Sequence, residues 1–378
     1  MRIVGRSVLN PADPGTSRAA ATFPTFTTLA DGSLLATYSI GSTKDSDDLT
    51  IELRRSDDGG ATWTGPVTPF ETSALGRRGS LKFAPITPLE GDRLIAVVLW
   101  IDREAFPGQP LFNPATEGCL PMVILVADSF NAGQTWTSWR PVPMPLDVGP
   151  PSLTNAIVRF PSGRLLLSVE TNKPYLDTSP WFQRVVHLWS DDHGATWSAP
   201  TTVVADPTGR IANWDQRGAV APDGRLVSFA WTFDFAAIAY RNIRRRISAD
   251  EGQTFDEPTD LGFADQPGHP AILPDGRVVL CWVDRFGSRS IRARVAASIE
   301  APFDLPGEVV LYEAAPGALG GGASPTGTTG DALVDMQSWS YGLCYADALP
   351  GGDVGVVHYA PGAAGGIEIR WVRLAVDG

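Results

Sequence analysis

The sequence predicts an all-β fold, a single six-bladed β-propeller of four-stranded antiparallel blades spanning residues 1–378. Three observations predict it. A turn octapeptide recurs four times, a strand–turn–strand unit recurs six times, and no stretch of useful length shows a helical period.

The octapeptide is Ser56-Asp57-Asp58-Gly59-Gly60-Ala61-Thr62-Trp63, which recurs as Ser190-Asp191-Asp192-His193-Gly194-Ala195-Thr196-Trp197. Ser129 to Trp136 carries Asn131 at the acidic position, and Ser248 to Phe255 ends on Phe instead of Trp. The pattern Ser-x-Asp/Asn-x-Gly-x-Thr-Trp/Phe suits a hairpin turn. The short acidic or amide side chain accepts hydrogen bonds from its own turn, Gly supplies positive φ, and the aromatic ring plugs the sheet edge. Copies fall roughly 60 residues apart, somewhat more than the 40–50 of common propeller repeats.

The second unit pairs a short apolar strand with an Asp-Gly-type turn and a second strand. Its turns are Asp31-Gly32, Gly91-Asp92, Ser162-Gly163, Asp223-Gly224, Asp275-Gly276 and Gly351-Gly352-Asp353. Six copies imply six blades, with the strand from Arg2 to Leu9 left over to pair with the last blade and close the ring. The Gly-rich stretch 320–330 then reads as a loop between the fifth and sixth blades.

Composition agrees with a packed chain: 43% of residues are hydrophobic and 19% charged, with 39 Gly and 32 Pro spread over many turns. A net charge of −12 argues against nucleic acid or an anionic membrane surface as partner, and leaves room for a local cationic pocket. Cys119, Cys281 and Cys344 fit no zinc pattern and read as reduced and buried. Four scattered histidines argue against a metal centre, no phosphate loop is present, and no cofactor is called for. The segment Met1 to Asn10 has no secretory apolar run, so a chain beginning there is expected in the cytoplasm.

Four such turns on a six-bladed propeller resemble the Asp-boxes (BNR repeats) of the sialidase, or neuraminidase, superfamily. Leu49 to Trp63 is similar to the first blade of bacterial sialidases. The resemblance implies that the Asp-boxes are structural. It also implies an active site on the opposite face, where a Tyr nucleophile is activated by a Glu, an Asp is acid/base, and three arginines clamp the substrate carboxylate. Carried over by position, Asp45 is the match for the acid/base, with Asp48 second. Asp215 stands where the family has Glu. Strict register places Trp339 at the nucleophile, with Tyr341 two residues on, and Arg241 and Arg289 align loosely with two clamp arginines. Thr22-Phe23-Pro24 replaces the family's Arg-Ile-Pro, so one clamp arginine is missing and a standard sialoside is not the expected substrate.

Read without the family, the propeller mouth collects further polar residues: Arg78, Lys82, Arg103, Glu170, Arg217, His269 and Arg285, with Trp181, Trp214 and Trp339 to stack on a sugar. Facing carboxylates among cations and aromatics suit glycoside hydrolysis. Bland readings stand beside these: a solvated loop for Asp45 to Asp48, a structural ion pair for Asp215 with Arg217, and an ordinary turn residue for His269. The expected function is therefore an exo-acting glycoside hydrolase with a glycan or small sugar as ligand. A non-catalytic glycan-binding propeller or a uronate-directed polysaccharide lyase are the alternatives.

Overall fold

A computed structural model describes residues 1–315, 336 and 339–376. The predicted 320–330 loop lies outside the described residues, as do Gln337 and Ser338 beside the expected nucleophile position.

The described chain is built of β-strands, apart from Met336 and the two short 3₁₀ turns Leu146–Val148 and Leu305–Gly307. Four separate antiparallel sheets have five strands each. In one, Gly79–Lys82 and Ile86–Pro88 pair with Leu94–Asp102, followed by Met122–Ser129 and Arg140–Pro141. The next places Pro151–Leu153 and Val158–Arg159 on Leu165–Thr171, then Arg184–Ser190 and Thr201–Ala205. The remaining two start at Ile211–Val220 and at Gln266–Pro267. The first and last parts of the chain share a seven-stranded sheet. There Ala20–Thr28 meets Ile367–Ala375 at one parallel pair, Ala20 with Ile367, and Arg2–Asn10 lies antiparallel along the same edge of Ile367–Ala375, the other edge being taken by Val354–Pro361. The expectation of six separate four-stranded sheets is thus corrected to four separate sheets and one joined sheet, in a propeller-like all-β arrangement.

Central strands such as Leu94–Asp102 and Leu226–Asp234 are buried along their whole length, because neighbouring sheets cover both faces. The outer strand Arg2–Asn10 instead alternates exposed and half-buried residues over most of its length. Cys119, Cys281 and Cys344 are buried free thiols.

The four octapeptides form one turn. The Ser56 hydroxyl donates to Asp58 at 2.8 Å and accepts the Gly60 amide at 2.8 Å, and Asp58 accepts the Thr62 amide at 2.9 Å and the Thr62 hydroxyl at 2.6 Å. The copies at Ser190 and Ser248 repeat all four bonds. In the Asn131 copy the amide donates to Thr135 where a carboxylate would accept. Two consecutive residues take positive φ, not glycine alone: Gly59 with Gly60, Ala132 with Gly133, His193 with Gly194, and Glu251 with Gly252. At Gly60 (φ 89°) an added Cβ would lie 2.2 Å from the Trp371 ring. Gly60→Ala is therefore expected to destabilise the fold by roughly 2–4 kcal/mol, summing left-handed strain and overpacking. Urea denaturation of the variant measures it, and a midpoint equal to wild type would refute it.

Candidate functional site

The strands nearest the centre are all interrupted midway. Ala20–Thr28, Ile211–Val220 and Gly342–Ala348 shift register between Thr22 and Thr25, Trp214 and Arg217, and Gly342 and Tyr345. The other three sheets break the same strand into two short pieces. Phe23, Phe83, Asp215 and Leu343 sit at these breaks with φ of 52°, 56°, 50° and 40°. Such bulges re-aim side chains, and a positive φ in a bulky residue is an outlier that the surrounding packing has to hold. All four residues line one cavity of about 140 Å³.

Three carboxyl groups reach this cavity from three different parts of the chain. Asp45, on the loop after Leu34–Gly41, binds Lys82 Nζ at 2.5 Å. Burial opposes its charge, but the ammonium groups of Lys82 and Lys44 prevail and hold the carboxyl below its ordinary range. Arg103, 3% exposed, pins that loop: it donates to Ser80 Oγ at 2.7 Å and to the carbonyls of Asp45 and Ser46 at 3.0 and 3.2 Å.

Glu170 is the last residue but one of the strand Leu165–Thr171. Its Oε1 accepts from Thr154 Oγ1 at 2.9 Å and from the Gln216 amide at 3.0 Å. Burial, then the negative charge of Asp215, push its carboxyl up to about 8 against those two hydrogen bonds. Asp215 itself accepts from Arg217 at 3.1 Å and from Gln266 Nε2 at 2.5 Å. The opposite end of the Gln266 amide, Oε1, accepts from both Nε and Nη2 of Arg285, so one side chain joins a carboxylate to a buried guanidinium.

Arg285 is 0% exposed, donates through Nη1 to the Tyr341 carbonyl at 3.0 Å, and lies with its guanidinium carbon 3.8 Å from the Trp339 ring centre. Lys44 donates to the Met336 carbonyl and stands 5.5–5.9 Å from the ring centres of Tyr359, Phe23 and Trp339. Burial pushes its ammonium down to about 7, with Asp45 opposing the shift. Trp181 stacks on Trp214 at 5.6 Å and makes an aromatic wall. Four buried donors of cavity-lining residues have no partner among the described residues: the indole N–H groups of Trp214 and Trp339, Nε of Arg217 and the Tyr359 hydroxyl. Unpaired buried donors are costly unless a ligand or water meets them.

Of the residues singled out from sequence, Asp45, Lys82, Glu170, Trp181, Trp214, Asp215, Arg217, Arg285 and Trp339 line the cavity. The others do not. Asp48 braces its own loop, accepting from Ser42 and Ser46. Tyr341 is fully buried beside Tyr312, its ring centre 5.4 Å away. Arg78 is exposed, and Arg103 supports Asp45 from behind. Arg241 binds Asp234 at 2.7 Å in a separate groove shared with Arg210 and Arg244. His269 stacks on Tyr345 at 4.1 Å, and burial pushes its imidazole down to about 4. Arg289 occupies a turn at φ 54° outside the cavity lining.

Sequence reasoning did not single out Lys44, Thr154 or Gln266. Lys44 adjoins Asp45, which was the one available signal. Among the described residues no cluster of three or more His, Cys, Asp or Glu side chains could hold a metal ion.

Neither a protein-family model nor a curated protein sequence matches the chain. Solved structures do. A Dyadobacter fermentans protein of unknown function superimposes with a TM-score of 0.73 at 20% identity, over 100% of this chain and 99% of that one. The intramolecular trans-sialidase of Ruminococcus gnavus, in complex with oseltamivir carboxylate, gives 0.65 at 12% identity over 100% and 98%. An α-L-arabinanase of Penicillium chrysogenum complexed with arabinobiose gives 0.65 at 14% identity over 98% of each chain. At these identities the likeness is one of fold, the β-propeller.

Proposed function

We propose that this chain is a glycoside hydrolase acting on a terminal sugar, on a sialidase-like propeller whose octapeptide turns are Asp-boxes. The seven-stranded sheet counts as two blades joined at the Ala20–Ile367 pair, which makes six blades in all. One observation carries the reading: Glu170, a buried carboxyl pushed up to about 8 by burial and by Asp215, stands beside Asp215 in one cavity. A carboxyl raised in this way by a neighbouring carboxylate is suited to act as the acid, with that neighbour as its anionic partner.

Glu170 delivers its proton to the departing glycosidic oxygen. Asp215, oriented by Arg217 and Gln266, faces the positive charge that develops at the anomeric carbon. The Trp181–Trp214 wall stacks on the sugar ring. Asp45, read from sequence as the acid/base, is ion-paired to Lys82 and has the opposite electrostatic setting from a proton donor. In this reading it holds the two lysines in place. The sialidase, trans-sialidase and arabinanase neighbours support a sugar ligand by fold analogy.

A panel of fluorogenic glycosides, a sialoside included, tests the proposal with wild type and Glu170→Gln. Cleavage of one member by wild type, lost in the variant, is the expected result. No turnover anywhere on the panel would overturn the hydrolase and leave a glycan-binding propeller.

A further inference from the structure

The cavity holds two buried cations with no carboxylate in contact: Asp45 and Asp215 act on Lys44, and Asp265 on Arg285, only from beyond ion-pair distance among the described residues. Lys44 is 7% exposed and Arg285 0%. Neither has an ion-pair partner among the described residues: the oxygens they bind are the Met336 carbonyl, the Tyr341 carbonyl and the Gln266 amide. Asp45 is occupied by Lys82, and Asp215 by Arg217 and Gln266. The two cations border the same Trp339 ring, whose N–H is unpartnered, and Tyr359 stands with them, its hydroxyl also unpartnered and 0% exposed. A buried charge without a counter-charge is strongly disfavoured, and so is a buried donor without an acceptor. Two of each, gathered around the Trp339 ring in a cavity that Glu170 and Asp215 also line, describe a seat for an anion.

We propose that this seat takes a carboxylate borne by the sugar away from its anomeric carbon, so that the substrate is a glycosiduronic acid. The inference rests on the glycosidase reading of the same cavity. Gln266 sets the two functions side by side, with the Asp215 carboxylate on its amide nitrogen and Arg285 on its amide oxygen. A hexuronate can then place its anomeric carbon toward Asp215 and Glu170 and its carboxylate toward Arg285 and Lys44. A sugar with the carboxylate on the anomeric carbon itself would drive that anion against Asp215. A neutral sugar could satisfy the indole and phenol donors, but it would leave both cations without a carboxylate in contact. The planar fork of arginine and the point charge of lysine are the usual partners of a carboxylate.

The test is calorimetric binding to the full chain, which needs no turnover. Glucuronic and galacturonic acids are compared with their methyl esters, with glucose and galactose, with N-acetylneuraminic acid and with inorganic phosphate. One free uronic acid is expected to bind about tenfold or more tighter than its methyl ester, the scale of one charge-assisted hydrogen bond. That gap should close in Lys44→Met and persist in Lys44→Arg, while the neutral sugars bind all three proteins alike. Equal binding of acid and ester, a gap that survives in Lys44→Met, or tighter binding of N-acetylneuraminic acid or phosphate than of either uronic acid would overturn the assignment. An acid preference without turnover of any uronide would sink the hydrolase reading and leave the seat standing. Turnover of neutral glycosides without an acid preference would do the reverse.

Discussion

Glu170→Gln is expected to slow cleavage of a glycoside with a poor leaving group by about 10²–10⁴-fold, the usual contribution of a positioned general acid. A dinitrophenyl glycoside, whose leaving group needs no proton, should lose far less. That contrast separates a proton donor from a residue that merely shapes the cavity. The pH profile gives a second check. Burial and the charge of Asp215 hold the Glu170 carboxyl at about 8, so wild-type kcat/KM should fall on the alkaline side with a midpoint near that value, and the variant should lack that limb. Stability should fall over the same range. The folded-state pKa of Glu170 lies above its unfolded value, so its contribution is fully present below about 4.5 and is lost as pH rises through about 8. At pH 8 the Gln variant should therefore unfold at higher urea than wild type, by a few kcal/mol on the order-of-magnitude scale of that shift. A variant that keeps full activity on poor leaving groups would remove Glu170 from the chemistry.

The parts of the molecule that the sequence disclosed are those whose cause is local. Each octapeptide closes its hydrogen bonds within itself, from Ser56 Oγ to the Thr62 amide, so its residue types and spacing are visible in the chain. The Asp-Gly-type turns between paired strands are local in the same sense. How the terminal strands join is not, because it depends on one parallel contact between Ala20 and Ile367, far apart in sequence.

The cavity was legible in composition and not in roles. Its carboxylates and tryptophans stand out as polar or aromatic residues at strand ends, yet the bulges decide which of them point inward. Trp339 lines the cavity and Tyr341, two residues on, does not, whereas Tyr359 on the next strand supplies the phenol. Arg103 looks like a ligand-binding arginine until its donors are found on Ser80 and on the Asp45 and Ser46 carbonyls. In the proposed mechanism Asp45 and Glu170 exchange roles for an electrostatic reason that no motif encodes: one carboxyl has Lys82 against it, and the other has Asp215. Lys44 gave no signal beyond its place beside Asp45, since its interest lies in being buried without a carboxylate in contact.

Asp215→Asn tests that last piece of electrostatics directly. Asparagine tolerates the φ of 50° at this bulge, and its one amide oxygen can accept from either Arg217 or Gln266, so the backbone should be retained while the charge and one hydrogen bond are lost. Loss of a preorganised charge at the reacting centre is expected to slow turnover by about 10²–10³-fold. The side chain of Arg217 is only 6% exposed, and weakening its pair should also lower stability by roughly 1–3 kcal/mol. The more discriminating readout is the residual activity as a function of pH. The charge of Asp215 is one of the two causes that raise the Glu170 carboxyl, so removing it must lower that pKa, with burial still holding it above the ordinary carboxyl range. The alkaline limb should therefore slide from about 8 toward neutrality in the variant. A limb that stays in place would separate the two carboxyl groups electrostatically and refute their pairing as acid and anion. A limb that slides, with turnover depressed, would follow from that pairing and from no purely structural role of Asp215.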